Sequence, residues 1–314
     1  MMNEILSQKA RTTFLSVLML ASVMVVFFGK TVLGQGPTTH RPLGAGVTAH
    51  RGNSSEFPEN TIPAFQSAIS LGVDWAELDV HTTKDGRLVV LHDVRTGRVG
   101  DKDLLVASHT YDELKAVDVA TAFRKKHGLT LQQCPPQTIP LLEDVLRLFI
   151  GNNQTRISIQ PKADCVQSAI TIIKKLNMVD RVGFNDGNLA YMSEVKRLAP
   201  AIRVFWDRPA DSDIAADIRI AKTHGFEALV LQYKGITAEK VQQVKAAGLE
   251  IGAWTVNDTE VMKALIGLGV QRLYTDEPQK LMLLHEHPET VFGEGLYMEH
   301  LQGTCADETG YAFL

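Results

Sequence analysis

Cysteine is scarce: Cys134, Cys165 and Cys305 are the only three in 314 residues. A disulfide framework is therefore excluded, the spacings match no zinc motif, and no Cys-x-x-Cys redox pair occurs. Inert thiols, or one incidental disulfide with a thiol left over, are what this number allows. An excess of one charge is missing too, because 32 Lys and Arg stand against 36 Asp and Glu, a formal net charge of -4. Bulk attraction to nucleic acid is excluded on that ground. So is a disordered, solvated chain, since 45% of the residues are hydrophobic. No short internal repeat, low-complexity tract or glycine-rich nucleotide-phosphate loop is present.

What is present begins with a membrane-inserting segment. Lys9 and Arg11 precede an uncharged, largely apolar run from Thr12 to Phe28, and Lys30 follows it. Two readings stay open: a signal peptide with small-residue cleavage near Val32 and Gly34, or an uncleaved anchor at the short end of the roughly 17 to 25 residues a span needs. Either way the protein is expected to be exported, periplasmic or secreted, or anchored facing outside the cytoplasm, with membrane association through this segment. The expected organisation is leader or anchor over 1–34, a linker over 35–44, one domain over 45–284, and a tail over 285–314 without a clear period.

Within 45–284, short β-type runs alternate with stretches of helical period, the pattern of a parallel sheet covered by helices. Eight strands are predicted at Gly46–His50, Trp75–Val80, Arg156–Gln160, Arg181–Phe184, Ile202–Trp206, Ala228–Gln232, Ile251–Thr255 and Gln271–Thr275. Eight parallel strands alternating with helices define a (β/α)8 TIM barrel of the α/β class. Gly72, Gly225, Gly248 and Gly269 stand near the ends of four predicted helices, where a left-handed residue favours glycine. The run Leu88–His92 lies outside the count, because Lys84-Asp85-Gly86 leaves too few residues for a parallel crossover. It is predicted to fold back as a hairpin at the C-terminal rim, followed by an excursion over Thr96 to Thr138, so the barrel carries a small hairpin and insertion after strand two.

Barrel chemistry sits where the C-terminal strand ends meet, so polar residues there are the candidates. Strand one ends in His50-Arg51-Gly52, the hairpin in His92-Asp93, and strand three in Gln160-Pro161-Lys162. In Glu77-Leu78-Asp79 on strand two, side-chain alternation sends both carboxylates to one face. Two carboxylates on a covered face repel unless a cation or proton neutralises them, and a hard divalent metal, Mg2+ or Ca2+, suits oxygen ligands. Arg51 and Lys162 have two readings, ordinary ion-pair partners or a phosphate clamp, and a metal and two histidines beside them favour the clamp.

The run His50-Arg51-Gly52, Pro58-Glu59-Asn60-Thr61, Glu77-Leu78-Asp79-Val80, Thr83-Lys84-Asp85-Gly86 and Val90-Leu91-His92-Asp93 resembles the signature of the glycerophosphodiester phosphodiesterase family. Later landmarks, Ile139-Pro140-Leu141-Leu142-Glu143-Asp144, Trp254-Thr255-Val256-Asn257 and Thr275-Asp276-x-Pro278, extend the resemblance over about Gly46 to Pro278. It implies that His50 and His92 are the acid/base pair, that Glu77 and Asp79 bind the metal, and that Arg51 and Lys162 hold the phosphate of a small-molecule glycerophosphodiester. The implied reaction is metal-dependent hydrolysis to glycerol 3-phosphate and an alcohol, with the neighbouring glycerol hydroxyl as internal nucleophile.

Two departures accompany the resemblance. Where the family has glutamate, any residue, lysine at strand three, with that glutamate a third ligand, this chain has Gln160-Pro161-Lys162. Gln160 can offer the cation a carbonyl, but one negative charge is lost. The arginine and paired threonines that follow the histidine-aspartate motif in the family are reduced to Arg95-Thr96-Gly97. Trp254 is expected either to pack against the glycerol or leaving group or to be a rim aromatic. Three readings of function stay open: the family reaction, the same chemistry on lysophospholipids or sugar phosphodiesters, and a non-catalytic relative that binds a phosphorylated ligand through a weakened metal site.

Overall fold

The computed structural model of the chain describes residues 46–286. The expected leader, the linker, nearly all of the tail and Cys305 lie outside the described residues. Strands β1 (Val47–Ala49), β2 (Trp75–Thr82), β4 (Arg156–Pro161), β5 (Val182–Asp186), β6 (Arg203–Arg208), β7 (Ala228–Gln232), β8 (Glu250–Trp254) and β9 (Arg272–Thr275) pair in parallel. Pairing of β1 with β2, Thr48 opposite Trp75, closes the ring. Strand β3 (Leu88–Val90) stays outside it, antiparallel to β2 with Val80 opposite Val90. Its turn uses the expected chemistry: Gly86 has φ 75°, and the Thr83 hydroxyl donates to Asp85 and accepts the Arg87 amide.

Eight helices cover the ring among the described residues: α1 (Ile62–Ser70), α4 (Leu142–Leu148), α5 (Val166–Lys175), α6 (Leu189–Leu198), α7 (Ile214–His224), α8 (Ala238–Ala246), α9 (Thr259–Gly267) and α10 (Pro278–Glu286). Two short helices, α2 (Tyr111–Leu114) and α3 (Thr121–His127), belong to the excursion. None is long and apolar enough to cross a membrane. Gly72, Gly225, Gly248 and Gly269 all have positive φ just past their helices, as expected.

Three apolar clusters divide the labour. The largest lies between strands and helices, with Leu78, Ile157, Phe184 and Leu229 facing Phe65, Ile170, Val195 and Val244. Burial at roughly 25 cal/mol per Å² of apolar surface makes this layer the main source of stability. Inside the ring, Trp75, Phe205, Ala228, Val230 and Tyr274 form a plug. The Trp75 and Phe205 rings meet edge to face at 5.0 Å, and the Arg272 guanidinium lies 4.0 Å from the Phe205 centroid. The N-terminal half of the bore is thus filled, and open space remains towards the C-terminal strand ends. A third, separate cluster of Val89, Leu91, Val99, Val106, Leu114, Val117, Val119 and Ile139 underlies the excursion.

Cys134 and Cys165 are separate buried thiols, and burial pushes Cys165 up to about 12, so inert thiols describe them. Asn53, the first residue of a three-residue glycosylation pattern, is buried with its amide on Ser67.

Candidate active site

Strand β2 pairs with β4 along one edge and, along the other, first with β1 and then with β3, so the two strands that lead into the histidines meet the strand of the acidic pair on the same edge. His50, Arg51, Glu77, His92, Gln160, Lys162 and Trp254 line one cavity of about 490 Å³. Asp79 is fully buried and pairs with two of those residues, Lys162 Nζ at 3.2 Å and Arg51 Nε at 3.5 Å. All eight residues singled out in the sequence therefore converge.

Backbone strain helps to bring them together. Arg51 has φ 59°, unusual for a side-chain-bearing residue, and Gly52 follows at φ 78°. This left-handed turn aims the Arg51 amide at Glu77 Oε2, 3.0 Å away. Glycine is required at 52, because a Cβ there would lie 2.8 Å from the Ala64 carbonyl carbon. The segment Pro58-Glu59-Asn60-Thr61 supplies the supports. Asn60, also at φ 59°, donates to Asp79 Oδ2 at 2.8 Å, and Glu59 accepts from Arg51 at 2.9 Å.

Each catalytic candidate imidazole has its own carboxylate, in a different electrostatic setting. His50 Nδ1 donates to Asp276 Oδ1 at 2.7 Å. Asp276 otherwise receives neutral donors, Ser54 Oγ at 3.1 Å and Asn257 Nδ2 at 2.6 Å, and so keeps its charge. Burial alone would lower the His50 pKa, yet the Asp276 bond and the nearby Glu77 outweigh it and raise it above 6.5. Burial likewise works against the Asp276 carboxylate, but His50 holds its pKa down at about 2. His92 Nδ1 donates to Asp93 Oδ1 at 2.6 Å, and Arg98 takes the other oxygen of Asp93. Burial dominates there: Asp79 and Asp93 work against it, Arg51 and Lys162 add to it, and the His92 pKa is lowered below 6.5. His81 Nε2 donates to the His92 carbonyl at 3.0 Å and pins the backbone there.

The acidic pair is unevenly neutralised. Burial disfavours both charges, but Lys162 and Arg51 hold Asp79 ionised below its ordinary value. Glu77 has only the Arg51 amide on one oxygen, and its buried Oε1 has no hydrogen-bond partner. Burial and then repulsion from Asp79 push its pKa up. An uncompensated buried carboxylate beside a second one fits a hard cation, and the Gln160 carbonyl adds a neutral oxygen to that donor set. In the structure Gln160 Oε1 accepts from Lys162 Nζ at 2.5 Å. Among the described residues no group of three or more His, Cys, Asp or Glu forms a ready metal cluster.

Several partners were not foreseen as such. Arg95, expected as the motif arginine, pairs with exposed Asp103 at the surface, whereas Arg98 reaches Asp93 and Glu59. Asp207 and Asn185 also line the cavity. Asp93 and Asp276 stood in quoted motifs without a role, and their pairing with imidazoles far away or next door in the chain is a property of the fold.

Fold and site together define a class: a (β/α)8 barrel enzyme with two imidazoles, an acidic pair and two cationic side chains around one mouth. The chain belongs to the glycerophosphoryl diester phosphodiesterase family, whose model matches residues 50–280. It is similar to a glycerophosphodiester phosphodiesterase of Caldanaerobacter subterraneus subsp. tengcongensis, 33% identical over 244 residues, covering 76% of this chain and 96% of that protein. A glycerophosphodiester phosphodiesterase of Bacillus altitudinis is 32% identical over 249 residues, covering 76% and 98%. Among solved structures, an Oleispira antarctica phosphodiesterase in complex with the product sn-glycerol-3-phosphate shares the fold, with TM-score 0.65, 24% identity and coverage of 74% and 94%. The chain is thus a phosphoric diester hydrolase, and its family supports hydrolysis of glycerophosphodiesters.

Proposed function

We propose that this chain hydrolyses glycerophosphodiesters to glycerol 3-phosphate and an alcohol, with a divalent cation bound and with His50 and His92 as general acid and base. The observation that carries the reading is the asymmetry of the two imidazoles. His50 sits on a fully charged Asp276, and His92 on an Asp93 shared with Arg98. One ring is poised to enter protonated and the other neutral, which is what simultaneous proton donation and removal require.

Glu77 and Asp79, with the Gln160 carbonyl, would hold Mg2+ or Ca2+. When bound, such a cation supplies charge stabilisation to the phosphoryl oxygens. Arg51 and Lys162 bring positive charge to the phosphate, and Asn60 and Glu59 orient the residues beneath it. His92 takes the proton from the neighbouring glycerol hydroxyl, whose oxygen forms the new bond to phosphorus. His50, its Nδ1 proton committed to Asp276, gives the Nε2 proton to the departing alcohol oxygen as the old bond breaks. The product is a cyclic phosphate. Water then opens it with the roles reversed: His50 removes a proton from water, and His92 protonates the hydroxyl that leaves. Trp254 borders the cavity with its indole N–H tied to the Val230 carbonyl at 3.1 Å, so its ring is fixed as a wall for the glycerol or leaving group.

Export or outward-facing anchorage accompanies this reading, supported by the apolar run from Thr12 to Phe28 alone. Incubating the protein with glycerophosphocholine and Mg2+ or Ca2+ tests the reaction. Release of glycerol 3-phosphate is the expected result; none from any common headgroup would overturn the assignment.

A further inference from the structure

Gln160 raises a problem of orientation that a glutamate would not. A carboxylate offers oxygen whichever way it turns, whereas an amide has one face that can serve a cation and one that cannot. Lys162 settles which atom faces it, because an ammonium only donates: the Gln160 atom 2.5 Å from Nζ is the carbonyl oxygen. The amide nitrogen is thereby turned across the bore towards Asp207 Oδ2, 3.2 Å away. Asn185 Nδ2 donates to the same oxygen at 3.2 Å, and its own carbonyl accepts the Ser158 hydroxyl at 2.7 Å. Turning Gln160 over would set donors against Lys162 and remove the donor from Asp207.

We propose that Asp207 is a positioning residue: it accepts the Gln160 amide N–H and so holds the Gln160 carbonyl towards Lys162 and the cation site of Glu77 and Asp79. Gln160 and Asp207 are then a matched pair across β4 and β6. A glutamate at 160 would place a second carboxylate about 3 Å from Asp207, a contact that only a shared proton or a cation relieves. The inference rests on reading Glu77 and Asp79 as the holders of the cation, and its test is chosen to separate the two.

The full-length protein and four variants decide it: Asp207→Leu, Asp207→Asn, Gln160→Glu, and Gln160→Glu with Asp207→Leu. Mg2+ affinity is measured by calorimetric titration, and the thermal midpoint is measured in chelator. Asp207→Leu, which leaves the amide without its acceptor, is expected to weaken Mg2+ binding about tenfold, the range seen when an outer partner of a metal ligand is lost. Asp207→Asn keeps an acceptor oxygen and should stay within about twofold of the parent. In the Gln160→Glu background, measured above pH 8 so that no proton bridges the two carboxylates, the sign reverses: adding Asp207→Leu tightens Mg2+ binding and raises the metal-free midpoint, because it removes a repulsion. An equal loss in both backgrounds, or a failure of Asp207→Asn to rescue, would overturn the positioning role. If no protein in the set binds Mg2+ or Ca2+, the cation reading fails by itself. The metal-free midpoints then decide the pairing: opposite shifts on Asp207→Leu in the two backgrounds uphold it, and equal shifts overturn it. Should Asp207→Leu not fold alone, Asp207→Asn in the Gln160→Glu background carries the same test, with a raised midpoint expected.

Discussion

Replacing Asp276 by Asn isolates what the carboxylate gives His50. The substitution keeps the shape and one acceptor oxygen, which at the Oδ1 position still serves His50 and Ser54 while the new amide nitrogen faces Asn257, and it removes the charge that His50 Nδ1 contacts at 2.7 Å. A hydrogen bond to an ionised partner contributes about 1.5–3 kcal/mol, and about 1.4 kcal/mol corresponds to one pKa unit, so the His50 pKa should drop by about one to two units. The sign follows from its role. In the proposed reaction His50 must be protonated to release the alcohol, and its pKa is raised above 6.5 in the parent, so the alkaline limb of the kcat profile should move down. At pH 8 the rate should fall about 10- to 100-fold, and at pH 6 far less. Because Asp276 does not line the cavity, KM should hardly change. The assay is glycerol 3-phosphate release from glycerophosphocholine between pH 5 and 9. A loss of the same size at every pH, or an unshifted alkaline limb, would refute the reasoning.

Three further outcomes are expected. Arg98→Gln returns the full charge of Asp93 to His92 and raises its pKa, so the acid limb should move upward, and an unmoved limb in the same assay would contradict the sharing of Asp93. Glu77 has a folded pKa raised above 4.5, so the native state holds extra protons and metal-free stability should decline as pH rises above 4.5 and through the raised pKa. Asp207, pushed up to about 8 chiefly by burial, acts in the same direction. Glu77→Gln should flatten that decline and abolish the rise in melting temperature on adding Mg2+; a retained Mg2+ response would remove Glu77 from the cation site. Gly52→Ala should cost more than about 1 kcal/mol, because its φ is 78° and the new methyl group meets the Ala64 backbone, so melting should drop by at least ~3 °C.

Much of this was legible because a barrel writes its layers into periodicity. All eight predicted strands are present, and the seven stretches of helical period in the sequence, Thr61–Leu71, Leu141–Phe149, Cys165–Leu176, Leu189–Leu198, Ser212–His224, Ala238–Ala247 and Thr259–Leu268, agree with the structure to within two residues at each end. The eighth, α10, begins at Pro278, a residue suited to a first turn, but the sequence after it has little period. Two misplaced strand ends share a cause. Strands β5 and β6 were expected to stop at Phe184 and Trp206, yet they run on through Asn185-Asp186 and Asp207-Arg208. Polar residues read as loop in an ordinary sheet, whereas inside a barrel mouth they can stay in strand and hydrogen-bond across the bore. The rule that found His50 and Lys162, to question polar residues at strand ends, would have found Asp207 had the strand been drawn longer. Arg98 was beyond reach for another reason. Only the coil of the excursion determines that it, and not Arg95, turns inward.

The two imidazoles rest on different foundations. His50 follows β1, whose Val47 and Ala49 belong to the large layer beneath the helices, whereas the run into His92 is shared, Leu88 and Val90 belonging to that layer and Val89 and Leu91 to the small cluster under the excursion. Arg98, beside Val99 of that cluster, depends on it as well. A local melting of this minor core would loosen the proposed base while the proposed acid, carboxylates and clamp stayed assembled. Such a molecule would keep the barrel's folded signal while losing the group that the proposed reaction needs for proton removal.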